Sequence, residues 1–290
     1  MPKQRILNFI RVQQWYKNTV IFLALFFSLT FFSVENVLLT IFGFIALCLV
    51  SSAMYIKNDI RDVEDDKKHP TKRNRPLPAG LITKKQAQAS FVVLSALGLV
   101  LSFVLDWKFG VLTILLLLNG EFYSIWLKKI IFLDIFSISG NFIIRAISGV
   151  ILIQSTVSPW LILGIFFVSL FLAIIKRRHE MEFLQDSARK HRKVLNQYTM
   201  STVNSIILIT AIMIITTYSI YAMNSSIQDW RLVITVPIVV YIVFRQLHLS
   251  SISEEKVLGD NILRDKSTAI AVIVYVAFTF VLLYFVPPIF

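Results

Sequence analysis

The chain has 290 residues, 56% of them hydrophobic and 13% aromatic against 16% charged, which excludes a soluble domain of ordinary composition. Apolar runs long enough to cross about 30 Å of hydrocarbon, roughly 20 helical residues each, recur along its whole length and mark an integral membrane protein. The formal net charge of +12 could suit nucleic acid, but the cations gather in alternate connections between apolar runs, the pattern of positive-inside topology.

Nine spans are expected, near 19–33, 37–56, 87–105, 109–127, 131–153, 159–175, 201–222, 232–248 and 268–286. The first is read as a retained membrane helix, because its length suits a span and no small-residue cleavage site follows it. Lys3, Arg5, Arg11 and Lys17 precede it, and basic connections follow spans two, four, six and eight. The connections after spans one, three, five and seven hold only Lys108 and Arg231 as cations. That asymmetry places the N-terminus and the basic loops in the cytoplasm and the C-terminus outside. Cys48, the single cysteine, lies inside the second span, so neither a disulfide nor a cysteine metal site can form within the chain. The expected fold is all-α: a polytopic nine-helix transmembrane bundle around a central cavity with cytoplasmic cap loops, one domain over residues 1–290.

Two cytoplasmic connections are long, about 57–86 and 176–200. Neither "SSAMYIKNDIRDVEDD" nor "VSLFLAIIKRRHEMEFL" contains Gly or Pro, so each membrane helix should continue past the bilayer. Pro70 should stop the first, and Pro76, Pro78 and Gly80 form a turn-rich passage to a new helix entered near Thr83.

In "NDIRDVEDD", Asn58, Asp62 and Asp66 are spaced by four and form one stripe of oxygen ligands on a helix, with Asp59 and Asp65 alongside. Clustered carboxylates repel one another, and a divalent cation is the economical explanation for them. Oxygen-only ligands favour magnesium, which keeps several waters and is completed by substrate phosphates, so an open stripe suits a diphosphate partner. A solvated helix laced by Arg61, Lys67 and Lys68 would account for the same charges. Arg145 sits well inside span five, where an unpaired charge costs at least about 2.5–3.5 kcal/mol. It should face the bundle interior, either to bind a phosphate or to pair with Glu121. Asn119, Tyr123 and Asn141 could line the same cavity, Tyr123 being the best of them, or serve as packing glue. None of the four histidines has convincing metal-ligand spacing, and none is assigned a catalytic role.

These strings, in this order, resemble a known family. "NDIRDVEDD" matches the NDxxDxxxD signature of the UbiA superfamily of intramembrane transferases, at the end of span two where that family carries it. More narrowly, "QQWYKN", "NDIRDVEDDKKHPTKRNRP", "YSIWLK", "FLAIIKRRHE" and "LRDK" resemble the branch that transfers phosphoribose to a polyprenyl phosphate of decaprenyl type, and the match covers nearly the whole chain. The resemblance implies a magnesium-dependent transfer from phosphoribosyl pyrophosphate, in the cell membrane, giving a lipid-linked pentose for building the cell envelope. Catalysis would rest on Asn58, Asp62 and Asp66, which with Asp59 would hold the metal.

Prenyltransferases of the superfamily carry a second aspartate-rich motif after span six. Here "KRRHEME", Lys176 to Glu182, stands in its place. A prenyl diphosphate presents one strongly anionic group, whereas phosphoribosyl pyrophosphate with polyprenyl phosphate presents three, so more cations are needed. Lys176, Arg177 and Arg178 are therefore expected to bind substrate phosphates, and the distal "ARKHRK" to anchor the loop. Lys17, Lys72, Arg73 and Arg75 are further candidate phosphate ligands, with Arg264 and Asp265 behind them. Two other readings stay open. A prenyltransferase joining an isoprenoid diphosphate to an aromatic or haem-type acceptor would use the same first motif but lacks the second here. A polyprenyl-phosphate carrier or flippase would need the cations but has no use for the metal stripe.

Overall fold

The computed structural model describes residues 2–68, 72–156, 158–191, 193–223, 230–252 and 265–287, and among them there is no strand. A short helix α1 (Pro2–Phe9) leads into a 3₁₀ segment, Val12–Ile21, and a six-residue helix α2 (Phe22–Phe27). Eight longer helices follow: α3 (Val34–Lys68), α4 (Lys84–Leu105), α5 (Trp107–Ile125), α6 (Leu133–Leu152), α7 (Pro159–His191), α8 (Met200–Met223), α9 (Val236–Ser251) and α10 (Lys266–Tyr284). With the 3₁₀ segment Trp230–Thr235 lengthening α9, all eight are long and apolar enough to cross a membrane. The chain is a multi-pass, all-helical membrane protein.

The expected first span over 19–33 is not one helix. The Thr19 hydroxyl donates to the Tyr16 carbonyl at 2.6 Å within the 3₁₀ stretch, and Leu29 takes a left-handed backbone with φ of 60° after α2. The Ser28 and Thr30 hydroxyls bond each other at 2.7 Å across that turn. Short hydroxyl side chains offer the backbone local alternatives to a helical ladder, and here three of them break an apolar segment into two pieces. The expectation of nine spans thus becomes eight long helices and a broken N-terminal segment among the described residues.

Both polar continuations are helical as expected, α3 as far as Lys68 and α7 as far as His191; Pro70 lies outside the described residues. Thr83 caps α4 with a reciprocal box, accepting from the Gln86 amide at 3.2 Å while its own amide donates to the Gln86 side chain at 2.9 Å. Asp106 turns the chain from α4 to α5 in a single residue, its carboxylate accepting from the amides of Lys108 and Phe109 at 2.7 and 2.9 Å. Gly80, at φ of +73°, supplies the left-handed residue that ends the passage after Arg75.

The chain forms two compact units, Met1–Trp126 with Ile144–Thr156 and Leu127–Ile143 with Val157–Phe290. In the first, Ile21, Leu47, Val50, Phe109, Leu116 and Leu152 form the membrane core. Lipid gives helices no hydrophobic reason to associate, so close packing over small residues holds them. An added Cβ on Gly98 of α4 would lie 2.6 Å from Val50 Cγ2 of α3, and one on Gly149 of α6 would overlap the Ile21 carbonyl oxygen. A smaller cluster of Phe9, Ile56, Leu77 and Ala87 sits at the polar end of α3. Burying Leu77 there is worth about 1.5–3 kcal/mol, and it ties the loop that carries Lys72, Arg73 and Arg75 to α3. In the second unit, Ile135, Leu170, Phe171, Ile174, Val194, Tyr198, Val203 and Ile207 pack as one core.

Candidate active site

Helix α3 presents one polar stripe from within its apolar span to its polar end. Cys48, Ser51, Ser52, Tyr55, Asn58, Asp59, Asp62 and Asp66 recur at intervals of three and four and so share a face. At the deep end, buried Asn18 of the 3₁₀ segment gathers the polar groups. Its side-chain oxygen accepts from Arg145 Nε at 2.7 Å and from Ser51 Oγ at 3.1 Å, and its nitrogen donates to Cys48 Sγ at 3.3 Å. Arg145 also donates to Ser51 at 3.4 Å. It faces the interior of this unit as expected. Glu121, the alternative partner, is engaged instead by Arg61 at 2.8 Å.

Higher on the stripe, Trp15 donates to Ser52 at 3.0 Å, and Ser52 in turn donates to the Ile10 carbonyl at 2.8 Å. Arg11 lies 5.0 Å above the Tyr55 ring and pairs with Asp59. Asn58 accepts from Ser124 of α5 at 2.9 Å. Asp59 and Asp66 are 6% and 3% exposed, and Arg75 bridges them with donor distances of 3.2 and 2.7 Å. Lys72 stands 3.7 Å from Asp66. Arg73 is exposed, while Asp62, Lys17 and Tyr123 are half-buried. Three cations from two separate segments, Arg11 on one side and Lys72 and Arg75 on the other, thus converge on the acidic face. Arg11, Ser52 and Asn18 are not among the site residues expected from sequence; the small polar pair Ser51 and Ser52, continuing the stripe inward, was the available signal.

Among the described residues no three His, Cys, Asp or Glu side chains converge on a point that a metal could occupy. Helix geometry explains this. At 1.5 Å rise per residue, Asn58 and Asp66 stand about 12 Å apart along the axis, too far to close around one ion. Magnesium needs only one or two carboxylates, with phosphate oxygens and water completing its octahedron. An all-oxygen stripe of Asn58, Asp59, Asp62 and Asp66 fits an ion shared with a phosphate rather than a protein cage.

The second unit holds the other expected cations. Arg177 is 2% exposed; its Nε lies 3.4 Å from Asp134 of α6, and its terminal nitrogen pairs with Glu180. Asp134, fully buried, also accepts from the Tyr198 hydroxyl at 2.7 Å, and that hydroxyl accepts from the Phe132 amide at 3.0 Å. Arg178 donates to Glu182 one turn along at 3.0 Å, and Lys176 is exposed. The triplet therefore divides into a surface lysine, a buried arginine and an arginine paired along its own helix. Asp134 and Tyr198 escaped the sequence reading, although a carboxylate at the head of an apolar span is itself a signal. Asp265 caps α10 and takes a two-pronged pair from Arg245 at 2.8 and 3.0 Å. The Arg245 hydrogen bond, with help from the Thr268 amide and hydroxyl, holds its carboxyl well below the usual carboxylate range. Arg264 lies outside the described residues, as does Arg192, and so do the side chains of Arg189, Lys190 and Lys193.

Residues 19–258, most of the chain, match the model of the UbiA prenyltransferase family. The chain belongs to the UbiA prenyltransferase family. Within that family it is similar to the decaprenyl-phosphate phosphoribosyltransferase of Mycolicibacterium smegmatis, 31% identical over 223 residues that cover 76% of this chain and 70% of the relative. The protein of the same name from Corynebacterium glutamicum is 30% identical over 222 residues, 75% of this chain and 67% of the relative. The fold is that of solved UbiA proteins: the structure of a UbiA homolog from Archaeoglobus fulgidus bound to GPP and Mg2+ superposes with a TM-score of 0.73 at 15% identity, covering 96% of this chain and 99% of that one.

Proposed function

We propose that this UbiA-family chain transfers phosphoribose from phosphoribosyl pyrophosphate to a polyprenyl phosphate of decaprenyl type, releasing pyrophosphate. Residues 1–290 would act as one transferase domain in the cell membrane, with the N-terminus and both polar loops in the cytoplasm and the C-terminus outside. The observation that carries the reading is the gathering of Arg11, Lys72 and Arg75 on Asp59 and Asp66. A carboxylate stripe already neutralised by three cations is suited to exchange those carboxylates for phosphate oxygens when a polyanionic donor and its metal arrive. The basic "KRRHE" where prenyltransferases carry a second acidic motif supports the same donor, as do the names of the two relatives.

In this reading neighbouring members of the stripe Asn58, Asp59, Asp62 and Asp66 would hold magnesium together with phosphate oxygens, and the metal would neutralise charge on the pyrophosphate. Arg75 and Lys72 move from carboxylate to phosphate and, with Arg73, stabilise charge as the bond from C1 to the pyrophosphate oxygen breaks. An oxygen of the acceptor phosphate forms the new bond to C1, and pyrophosphate leaves with the electron pair. Because that acceptor is already anionic near neutral pH, positioning can supply much of the acceleration without a dedicated base. Lys17, Tyr123 and Arg145 are proposed substrate ligands in the first unit, and Lys176 and Arg178 phosphate ligands in the second. Arg177 is proposed to serve from its buried pair, by fixing the helical turn that carries its two neighbours.

Purified protein given magnesium, labelled phosphoribosyl pyrophosphate and polyprenyl phosphate should yield labelled lipid. Preparations that stay monodisperse yet label no lipid, while turning over a prenyl diphosphate with an aromatic acceptor, would replace this reading with the prenyltransferase one.

A further inference from the structure

The turn of α7 just past its apolar stretch holds a buried imidazole for which phosphate binding has no use. His179 is 5% exposed, and neither of its ring nitrogens has a hydrogen-bonding partner among the described residues. Three residues on, and so on the same face of the helix, Glu182 gives one carboxylate oxygen to Arg178 while the other is buried and without a partner there. A buried polar atom left unsatisfied costs about 1–3 kcal/mol, and native structures satisfy nearly all of them. Three such atoms within one helical turn call for a ligand.

The chemistry of the three atoms selects it. A neutral imidazole offers one donor and one acceptor, and a carboxylate oxygen accepts only. Phosphate, which near neutral pH is chiefly an acceptor, cannot satisfy the carboxylate and would meet Glu182 as a like charge. A metal ion is unsuited, since magnesium prefers oxygen ligands to an imidazole and zinc would need a third His, Cys, Asp or Glu, none of which joins the pair among the described residues. A hydroxyl group suits both partners, because it donates to a carboxylate while accepting from an imidazole N–H, so one hydroxyl can engage a ring nitrogen and the free carboxylate oxygen together.

We propose that His179 and Glu182 bind the hydroxyl groups of the transferred pentose. The proposal rests on the phosphoribose reading and adds to it a recognition element directed at the sugar rather than at its phosphates. It also gives "KRRHE" a divided purpose: cations for phosphate, and the imidazole with the carboxylate one turn on for hydroxyl. A prenyl chain has no hydroxyl to offer such a pair, so the pair would select the donor class.

The test compares phosphoribosyl pyrophosphate with its 2-deoxy and 3-deoxy analogues, using the full-length protein with magnesium and polyprenyl phosphate. A site built around a hydroxyl rejects the analogue lacking it by as much as about 10⁴- to 10⁵-fold; the wild type should prefer the natural donor over at least one analogue by at least roughly a hundredfold in kcat/KM. Glu182→Gln and His179→Ala should lower kcat/KM for the natural donor by about 10- to 100-fold while leaving that analogue within about threefold, as loss of hydrogen bonds to a charged or neutral group implies. The greater intrinsic reactivity of a deoxy sugar cancels when variant and wild type are compared as ratios. His179→Gln, which keeps both a donor and an acceptor, should retain part of the preference and replaces the alanine variant should that one not fold. Equal losses for all donors, or an undiminished preference in the variants, would overturn the proposal alone. No transfer from phosphoribosyl pyrophosphate by the wild type would overturn it together with the reading beneath it.

Discussion

Arg75 donates to Asp66 at 2.7 Å, joining the turn-rich loop to the last carboxylate of the α3 stripe. The bond is possible because buried Leu77 docks that loop on α3, and it places a bidentate phosphate binder where the proposed metal ligands end. Replacing Arg75 with Ala should therefore weaken donor binding. A charge-assisted hydrogen bond is worth about 1.5–3 kcal/mol, so the KM for phosphoribosyl pyrophosphate should rise roughly 10- to 150-fold. Arg75→Lys should recover only part, since the planar fork is lost. A KM unchanged in the alanine variant would confine Arg75 to a structural role.

Asp62 lies between Asn58 and Asp66 on the stripe, four residues from each. Asp62→Asn removes a negative oxygen from a site that must hold a hard cation. Activity at limiting magnesium should fall and recover in part as magnesium is raised. Titration curves that superpose with the wild type would remove Asp62 from the metal site.

Arg177 and Asp134 form a buried pair at 3.4 Å, with exposures of 2% and 0%. Removing one partner strands the other, at a cost of about 3–5 kcal/mol. Arg177→Met should lower the melting temperature in detergent sharply. Arg177→Met combined with Asp134→Leu should restore part of it, because the two buried charges go together while Glu180 and the Tyr198 hydroxyl each lose one partner. Additive losses in the double variant would show that the pair is not the source of the effect.

Gly149 meets the Ile21 backbone so closely that a Cβ would overlap the carbonyl oxygen. Overpacking a tight contact costs about 1–3 kcal/mol. Gly149→Val should lower the melting temperature without altering the KM for either substrate beyond what reduced folding explains. A melting temperature equal to the wild type would mean that the 3₁₀ segment does not pack against α6 in this way.

Asp265 caps α10 under the hydrogen bond from Arg245. Its folded pKa lies below the unfolded value of about 3.9. The stability it contributes is therefore fully present above that value and is lost as pH falls through the folded pKa. Asp265→Asn should melt earlier than the wild type by a constant margin from pH 7 to about 5, a margin that shrinks below about pH 4. A margin independent of pH down to 3 would show that the carboxylate's charge is not what holds the cap.

Much of this protein was legible in one dimension. Eight of the nine expected spans are helices close to their expected limits, and α3 and α7 run on past their apolar stretches as the lack of Gly and Pro implied. Thr83 begins α4, and the stripe from Asn58 to Asp66 lies on one helical face. These features depend on residues close in sequence: on apolar length, on capping chemistry and on the 3.6-residue period. The broken segment before α3 misled because its apolar composition suits a span, while the hydroxyls of Thr19, Ser28 and Thr30 favoured local bonds.

What sequence alone determined, then, was the membrane class, the helices and the acidic stripe, because each is encoded by local pattern and by the length needed to satisfy backbone polar groups in lipid. Tertiary structure decided the partners. Arg145 rests on Asn18, 127 residues away in the chain, rather than on Glu121, and Arg177 is drawn into a core by Asp134 and Tyr198. Charge in a low-dielectric interior must find whichever polar group packing brings near, and no spacing rule in the sequence states which group that will be.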